Sequence, residues 1–535
     1  MHAKRLIAAF GVVMFISVIV YGNLFLLCSN TGYAIRAQSQ SGYLQQYSLG
    51  RGNIFDCNFR QLTNVEPRYI ALASPGDDSY TALFSAVSGN KQKELFQAAQ
   101  AGKPFLIELD YPISISGIWQ FEDTQRYLDT PIAQHLIGYL NGDGDGVSGV
   151  ERLFNEELKG GGTVEQVNFA TTASGMLLTN QQPKTVSTQG TGLGVMLTID
   201  SAMQRICEGI GADNIEQGAI VVMETATGRI KAAVSLPSYT PTDVASHIQN
   251  NDSALLNQYI SGYNVGSVFK PVLAAAALQT TIDTNATYIC KGWESINGHI
   301  YRCAHGTAHG EVDMQRALEV SCNCYFLNLG LQLGAKDVYD IASLMGFGST
   351  TALGGGYTAN SGNLPNPDEL TDLGQLASVS FGQGKLLATP IQITAATNVF
   401  ANEGVYVSPT LIEAQVNGYT KEITKSYYNP QRVQAIPQQD AEIMRKMLVS
   451  VVENGLATGA KPSSHGAGGK TGTAQTGRKN ANGDELYDAW FTGFYPAENP
   501  KYTVTVLMDS TTRSGEEAAY IFAKICNALS YCVEE

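Results

Sequence analysis

The order of apolar patterns along the chain predicts an α+β fold in which helices cover an antiparallel sheet. Short apolar runs bounded by turn residues, typical of buried strands, occur on both sides of a helical stretch. The expected elements are strands at Val195–Ile199, Ala219–Met223, Trp490–Phe494 and Tyr502–Leu507, helices around Lys270 and Met314, and a last helix over Ala518–Ser530. Strands, then helices, then strands with a closing helix are the order that this class of fold produces.

An uncharged run close to the N-terminus predicts a membrane anchor. Leu6–Leu27 carries no charged residue, and as a helix it is long enough to cross a hydrocarbon core of about 30 Å. Lys4 and Arg5 precede this run. Positive flanks stay in the cytoplasm, so the rest of the chain is expected outside. A lipoprotein signal acylated at Cys28 is the alternative, although Leu27 stands where such signals need a small residue.

The length of 535 residues predicts two or three domains. The polar, glycine-bearing stretch Gln182–Gly192 predicts a boundary between them. The expected segments are a cytoplasmic tail at 1–5, an anchor at 6–28, a mixed membrane-proximal module at 29–190 and a catalytic domain at 191–535. The net charge of −14 argues against a nucleic-acid partner, because such a partner calls for a basic patch.

A serine lies three residues before a lysine in the stretch Gly266–Pro271, just ahead of an alanine-rich run that suits a helix. Positions three apart share a helix face, so Ser267 Oγ and Lys270 Nζ can meet. A lysine shielded from water loses its proton more readily and can then take one from a serine. The same pattern also fits a helix start with a capping serine and a solvated lysine.

Two further short motifs favour the catalytic interpretation. Ser321-Cys322-Asn323 and Lys470-Thr471-Gly472-Thr473 follow in the order S-x-x-K, S-x-N, K-T-G, which is the pattern of serine penicillin-recognising enzymes. The chain thus resembles the monofunctional class B penicillin-binding proteins, which are peptidoglycan D,D-transpeptidases. Further matching stretches are Arg51–Asp56, Leu197–Asp200, Gly382–Gly384, Thr389, Pro390 and Gln392.

The resemblance implies a penicillin-binding, serine β-lactamase-like transpeptidase domain, with helices on both faces of a five-stranded sheet. A mixed α/β pedestal module and one N-terminal transmembrane helix would precede it. The chain departs from the family at Cys57, where arginine is usual, and at Phe59, where glycine is usual. The contacts of the motif at Arg51–Asp56 are therefore expected to differ in detail.

The resemblance also implies roles for individual residues in the acyl transfer. Ser267 would attack the carbonyl of a D-Ala-D-Ala peptide, and Lys270 would accept its proton. Ser321 would relay a proton to the leaving nitrogen, and Asn323 would hold the peptide amide. The backbone N–H groups of Ser267 and Thr473 would stabilise the oxyanion.

The K-T-G motif is implied to bind the substrate. Lys470 would stay charged and attract the terminal carboxylate of the peptide, while the hydroxyls of Thr471 and Thr473 bind it. Gly472 would leave the strand edge open, so that the substrate backbone pairs alongside.

The resemblance implies no cofactor, and it implies three kinds of partner: peptidoglycan stem peptides ending in D-Ala-D-Ala, β-lactams, and a membrane-embedded SEDS-type glycan polymerase. Two alternative functions use the same motifs. One is a hydrolase, either a D,D-carboxypeptidase or a β-lactamase. A β-lactamase would need a deacylating glutamate placed over the acyl bond, and no motif identifies one. A non-catalytic penicillin sensor usually carries further membrane helices and a cytoplasmic effector.

The chain has nine cysteines, and two of them bracket a polar loop. Cys290 and Cys303 are the best candidates for a disulfide. A zinc site is the alternative, since His305, His309 and Cys322 lie close to them in sequence. No metal is implied by the family motifs themselves.

Overall fold

The computed structural model describes residues 2–29, 42–73, 77–101, 103–172, 177–178, 180–250 and 252–530. The chain divides into two compact units. The first unit comprises Met1–Arg51, Val65–Arg126 and Gly162–Thr191, and the second comprises Gly52–Asn64, Tyr127–Gly161 and Gly192–Glu535. Parts of the stretch 29–190 therefore belong to the second unit, and the single module expected over that stretch stays a prediction.

The first unit combines a long apolar helix with two small sheets. The helix is His2–Ser29, and within the described residues only its segment Ala3–Leu26 is long and apolar enough to cross a membrane. One sheet has the strand order Gly42–Gln46, Val164–Ala170, Lys184–Thr188, and the other has the order Phe105–Leu109, Pro67–Ala73, Trp119–Thr124. Helices Asp77–Ser85 and Asn90–Gln100 accompany them, and a small apolar core forms around Leu95.

An antiparallel sheet of five strands forms the centre of the second unit. Its strands are β1 (Gly218–Glu224), β2 (Ile230–Leu236), β3 (Gly468–Lys479), β4 (Glu485–Tyr495) and β5 (Tyr502–Thr511). They lie in the order β2-β1-β5-β4-β3, so β3 is an edge strand. Long apolar runs, nearly all buried, produce these strands, as the sequence predicts for a sheet covered on both faces.

Helices cover both faces of this sheet. They are α1 (Ser201–Asn214), α4 (Pro390–Ala401), α5 (Gln438–Asn454) and α6 (Gly515–Ala528). Helix α2 (Lys270–Leu278) packs against α3 (Asn323–Leu344) and against α5. The ring of Phe491 lies 4.6 Å from that of Phe522 on α6, whereas Thr492 Oγ1 donates to Thr397 Oγ1 on α4. Successive strand residues point to opposite faces, so α4 and α6 lie on opposite sides. The predicted α+β architecture is confirmed.

A second sheet lies within the same unit. Its order is Ile54–Phe55, Leu193–Leu197, Ile412–Asn417 and Glu422–Ser426. Asp56, at the end of the first strand, accepts hydrogen bonds from Asn58 N and Arg60 N, both at 2.8 Å. Phe59 in this turn has φ of 58°. Glycine adopts that conformation most easily, which explains why the family usually has glycine there.

The remaining elements of the second unit are short. The α-helices are Gln134–Ile137, Gly149–Leu153, Asn155–Leu158, Val244–Asn250, Met314–Glu319 and Leu373–Val379. The 3₁₀ turns are Ser253–Leu255, Gln258–Ile260, Gly266–Phe269, Ala304–Gly306, Glu369–Thr371 and Thr458–Ala460. The paired strands are Tyr263–Asn264 with Leu387–Ala388, Tyr288–Cys290 with Gly310–Val312, Trp293–Ile296 with His299–Arg302, Thr351–Ala352 with Thr358–Ala359, and Val405–Val407 with Arg432–Gln434.

Candidate active site

The serine of the first motif lies in a 3₁₀ turn that leads directly into α2. Side chains three residues apart eclipse one another in a 3₁₀ turn, so Ser267 and Lys270 project to the same side. Gly266 has φ of 64°, and a Cβ there would lie 3.0 Å from Ala474 Cβ on β3. Only glycine combines this backbone conformation with such a close approach to the strand.

A second glycine holds this turn from the other side. Gly382 accepts the hydrogen bond of Gly266 N through its carbonyl oxygen at 2.7 Å, and its own φ is 83°. A Cβ at Gly382 would lie 1.8 Å from the carbonyl oxygen of Gly266. The stretch Gly382–Gly384, matched on family grounds alone, therefore has a physical role, because it supports the turn that carries Ser267.

The other family matches near this stretch stabilise the start of α4. Thr389 and Gln392 form a reciprocal capping box at its N-terminus. The amide of Gln392 also donates to the carbonyl oxygens of Gly346, Ser349 and Ser361, at 3.0 to 3.1 Å. One buried side chain thus ties three loops to the helix.

Lys270 is fully buried and makes three hydrogen bonds. Its Nζ donates to Ser321 O at 2.6 Å, to Ser321 Oγ at 3.1 Å and to Asn323 Oδ1 at 2.7 Å. Across the described part of the chain, Lys270 donates to these groups and not to Ser267. The structure therefore joins the first and second motifs through the lysine.

Lys470, on the edge strand β3, contacts the same serine of the second motif. Its Nζ donates to Ser321 Oγ at 3.1 Å, and to the carbonyl oxygen and hydroxyl of Thr471 at 3.1 and 3.4 Å. Ser321 Oγ therefore accepts hydrogen bonds from both lysines. A hydroxyl has two lone pairs and one proton, so both are accepted while the proton stays available for a third group.

Burial lowers the pKa of both lysines. The pKa of Lys270 falls from 10.5 to about 8 because its ammonium group is removed from water. For Lys470 the pKa lies well below its usual range, because of burial and then because of the nearby charge of Lys270. The described hydrogen-bond acceptors of Lys470 in the free protein are all neutral oxygens. Lys470 therefore carries the expected positive charge only when an anion is bound in the site.

The amide of Asn323 is engaged at both ends. Its Nδ2 donates to the carbonyl oxygen of Arg302 at 2.9 Å, while its Oδ1 accepts from Lys270. Ser321, two residues earlier, has φ of 53°. This uncommon conformation turns the chain sharply just before α3 begins at Asn323.

The K-T-G segment lies beside the serine turn. A Cβ at Gly472 would come within 3.0 Å of Val268 Cγ1, so glycine allows β3 to approach that turn. Thr471 is buried next to Lys470, whereas Thr473 is exposed. Thr473 Oγ1 accepts a hydrogen bond from Gly515 N at the start of α6, at 3.0 Å, which leaves its proton free to donate.

Two residues that hold the site were not foreseen. Asp488 accepts hydrogen bonds from the backbone N and the Nδ2 of Asn264 at 3.1 and 3.0 Å, and Trp490 Nε1 donates to Asn264 O at 2.8 Å. Asp488 and Trp490 both lie on β4, and Asn264 lies just before the turn that carries Ser267. Burial raises the pKa of Asp488 to about 6. The available signal was an aspartate two residues before the apolar run that begins at Trp490.

The predicted Cys290–Cys303 disulfide is not formed. The two sulfur atoms lie 3.7 Å apart, whereas a disulfide bond is about 2.05 Å long. All seven cysteines in the described residues are free thiols. The side chains of Cys28 and Cys532 lie outside the described part of the chain. Cys322 and Cys324 are buried, as expected.

The comparisons with known proteins agree with this geometry. Residues 218–527 match the model of the penicillin-binding protein transpeptidase domain, which is more than half of the chain. The chain belongs to the penicillin-binding protein transpeptidase family. The resemblance seen in the sequence is confirmed by this match, and the three motifs all lie within the matched residues.

Several curated proteins are similar to the chain. Stage V sporulation protein D of Bacillus subtilis is 29% identical over 410 residues, which are 74% of this chain and 62% of that protein. The probable peptidoglycan D,D-transpeptidase PbpC of Pseudomonas aeruginosa is 29% identical over 473 residues, 86% of this chain and 79% of that protein. The chain thus matches less than two thirds of the Bacillus protein.

Solved structures share the fold. The D,D-transpeptidase domain of a peptidoglycan glycosyltransferase from Eggerthella lenta has a TM-score of 0.66 at 24% identity, over 91% of this chain and 99% of that one. A chain of a peptidoglycan synthase complex reaches a TM-score of 0.72 at 22% identity, over 99% of this chain and 98% of that one. These likenesses confirm the expected fold class.

Proposed function

We propose that the chain cross-links peptidoglycan as a D,D-transpeptidase, through an acyl-enzyme formed on Ser267. The observation that carries the proposal is the meeting of Lys270 and Lys470 at one oxygen, Ser321 Oγ, next to the turn that bears Ser267. Such a pair supplies both functions that acyl transfer from a peptide acid requires. One lysine can act as a base, and the other can bind the carboxylate.

In the first step, Ser267 Oγ attacks the carbonyl carbon between the two D-alanines. Its proton passes to the neutral amine of Lys270, and the C–N bond then breaks. The departing nitrogen takes a proton through Ser321, and free D-alanine leaves. The hydrogen bond from Lys270 Nζ to Ser321 Oγ, at 3.1 Å, supplies the path for that proton.

In the second step, an amine of a neighbouring stem peptide attacks the ester carbonyl. The amine loses its proton to the same base, the bond to Ser267 Oγ breaks, and the serine regains a proton. A new peptide bond replaces the one that was broken. The backbone N–H groups of Ser267 and Thr473 stabilise the oxyanion in both steps.

Binding of the donor peptide uses the edge of the sheet. Within the described residues, β3 is the edge strand of the sheet, and the substrate backbone adds along its outer edge as a further strand. Asn323 binds the peptide amide after releasing Lys270. The carboxylate is bound by Lys470, Thr471 and Thr473, and its charge restores the proton on Lys470. β-Lactams acylate Ser267 because they imitate this substrate.

The membrane topology is part of the proposal. The helical segment Ala3–Leu26 anchors the chain as a single membrane span. Its N-terminal end, with Lys4 and Arg5, lies in the cytoplasm, and the second unit, here called the catalytic unit, lies outside the cell membrane. Protease added to intact spheroplasts should then digest the catalytic unit. Full protection would reverse this topology.

The proposed partner for glycan polymerisation is a SEDS-type membrane enzyme. The support is that a similar structure comes from work on a peptidoglycan synthase complex that coordinates polymerisation and cross-linking. Another similar structure is a complex of PBP2 with MreC from Helicobacter pylori. Co-purification of the full chain with such a polymerase from membranes tests the partnership.

The test of the activity separates transfer from hydrolysis. A pentapeptide ending in D-Ala-D-Ala is incubated with the full chain and a labelled D-amino acid. A transpeptidase incorporates the label at the peptide terminus and releases D-alanine, whereas a carboxypeptidase yields only the tetrapeptide. A sensor gives neither product while still binding penicillin. The variant S267A controls for contaminating enzymes.

A further inference from the structure

Three cysteines and a histidine lie close together, and one of the cysteines is the middle residue of the S-x-N motif. The donor atoms of Cys290, Cys303, His309 and Cys322 all lie within 4.8 Å of one another. Within this group, Cys303 Sγ lies 3.7 Å from Cys290 Sγ and 3.8 Å from Cys322 Sγ. Cys290 Sγ lies 3.5 Å from His309 Nδ1.

These distances match the edges of a zinc tetrahedron. Bonds of about 2.3 Å to sulfur and about 2.0–2.1 Å to nitrogen, at tetrahedral angles, separate two sulfurs by about 3.8 Å and a sulfur from a nitrogen by about 3.6 Å. A disulfide would require about 2.05 Å instead. We infer that Cys290, Cys303, His309 and Cys322 form a structural zinc site.

The backbone around the cluster suits thiolate ligands. The N–H of Gly292 donates to Cys290 Sγ, and the N–H of Tyr325 donates to Cys322 Sγ, each at 3.4 Å. Hydrogen bonds from backbone N–H groups stabilise the charged form of sulfur that binds metal. Cys290 and Cys322 therefore already have the surroundings of bound ligands.

The segment 288–312 lacks an apolar core of its own. Its only buried side chains are Cys290, Cys303 and Val312. Three of its larger apolar side chains are exposed: Ile289 is 67% exposed, Trp293 50% and Ile300 44%. Small segments that cannot bury an apolar core are commonly held by a metal. Zinc bound to Cys290 and Cys303 supplies that cross-link here.

The site is structural because four protein ligands fill a tetrahedron and leave no position for water or substrate. Cys290, Cys303 and Cys322 are buried and His309 is partly buried, which also limits access. Cys324 Sγ lies 3.5 Å from Cys303 Sγ but outside the group of four. His305, named with His309 in the sequence, is exposed and outside the group.

Metal binding at this position would fix the second motif. Cys322 directly precedes Asn323, and Cys303 directly follows Arg302, whose carbonyl oxygen accepts the Asn323 amide at 2.9 Å. The donor and the acceptor of this hydrogen bond are thus each adjacent in the chain to a zinc ligand. Loss of zinc would displace Asn323 and, through it, the hydrogen bond to Lys270.

The first experiment measures metal content directly. The full chain is purified in detergent with a non-thiol reductant, and zinc is measured by mass spectrometry. The inference predicts about one zinc per chain. H309A should lose the metal, whereas H305A, the matched change at an exposed histidine, should retain it. Equal zinc content in H309A and H305A would overturn the assignment.

A second measurement does not depend on the folding of any variant. The unmodified protein is stripped with a chelator and titrated with Co²⁺. A tetrahedral site with three thiolates gives intense thiolate-to-cobalt absorption that saturates at about one equivalent. A wild-type chain that binds neither metal, or whose native form contains a Cys290–Cys303 disulfide on peptide mapping, would contradict the zinc site.

The effect on catalysis rests on the proposed function and has its own readout. Removal of zinc should slow acylation of Ser267 by a β-lactam by about tenfold or more, and added zinc should restore it. An unchanged rate in the stripped protein would show that the metal does not support Asn323. Failure of the metal-loaded protein to acylate would instead count against the proposed function, while the metal content would still decide the site.

Discussion

Lys270 and Lys470 donate hydrogen bonds to the same oxygen, Ser321 Oγ, each at 3.1 Å. Both side chains are fully buried, and two ammonium groups cannot both stay charged there without an anion. The charge of Lys270 lowers the pKa of Lys470, in addition to the effect of burial. This relationship gives each lysine a separate role and suggests how the roles can be distinguished.

Replacement of each lysine by arginine should have unequal effects. Arginine stays charged in proteins, so it can replace a field but not a base. K270R should therefore lose acylation by a factor of about 10² or more, to the level of S267A. K470R should keep a measurable fraction, with most of its loss in the binding of substrates that carry a carboxylate.

The measurement for this pair is the second-order rate of acylation by one β-lactam. Circular dichroism and thermal unfolding control for folding of both variants. Equal rates, or a faster K270R, would show that the base is the other lysine.

Acylation should depend on pH in the direction set by Lys270. Its pKa is about 8 in the folded protein, and only the neutral amine can accept the proton of Ser267. The rate should thus rise about tenfold per pH unit below about 8 and level off above it. A stopped-flow series with one β-lactam measures this profile. A rate that falls with rising pH would contradict the assignment of a neutral base.

The fit between Gly382 and the serine turn can be tested with matched glycines. Gly382 and Gly477 both have positive φ, at 83° and 72°, so alanine costs about 1 kcal/mol at either position. At Gly382 the added Cβ would also meet Gly266 O at 1.8 Å, whereas at Gly477 it would have no atom of the described residues within 4 Å. G382A should slow acylation far more than G477A. Similar rates would show that the turn tolerates displacement.

The hydrogen bonds from Asn264 to Asp488 should support acylation, although neither residue belongs to one of the three motifs. D488A leaves the backbone N and the Nδ2 of Asn264 without their acceptor, at a cost of about 1–3 kcal/mol. Displacement of the serine turn should slow acylation by about tenfold. D484A, at the exposed turn that joins β3 to β4, is the control and should leave the rate unchanged. Normal acylation by D488A would show that these two hydrogen bonds are not needed to hold the serine turn.

Much of the fold can be predicted from the pattern of apolar residues. Because the sheet is buried on both faces, its strands appear in the sequence as long runs without charged residues. The expected strand at Ala219–Met223 lies inside β1, and the one at Tyr502–Leu507 lies inside β5. The strand expected at Val195–Ile199 instead ends at Leu197. Asp200 caps α1 through the N–H groups of Ala202 and Met203, so the chain leaves the sheet before it.

Less of the site could be predicted from the sequence, because its contacts join residues that are distant in the chain. The motifs predicted which residues converge, but not that Lys270 donates to Ser321 and Asn323 in the free protein. No local pattern encodes the edge position of β3, which depends on strand order. The expected disulfide failed for a similar reason: the closeness of Cys290 and Cys303 in the chain does not give the distance between their sulfur atoms. The sequence left a zinc site with His309 and Cys322 open as the alternative.

The most direct test of the account is the mass of the protein after reaction with benzylpenicillin. The adduct should equal one intact penicillin per chain and should map to the peptide that contains Ser267, since opening of the lactam ring loses no atoms. S267A should remain unmodified while unfolding at the same temperature as the unmodified protein. An adduct on another residue, or labelling that persists in S267A, would contradict the central claim.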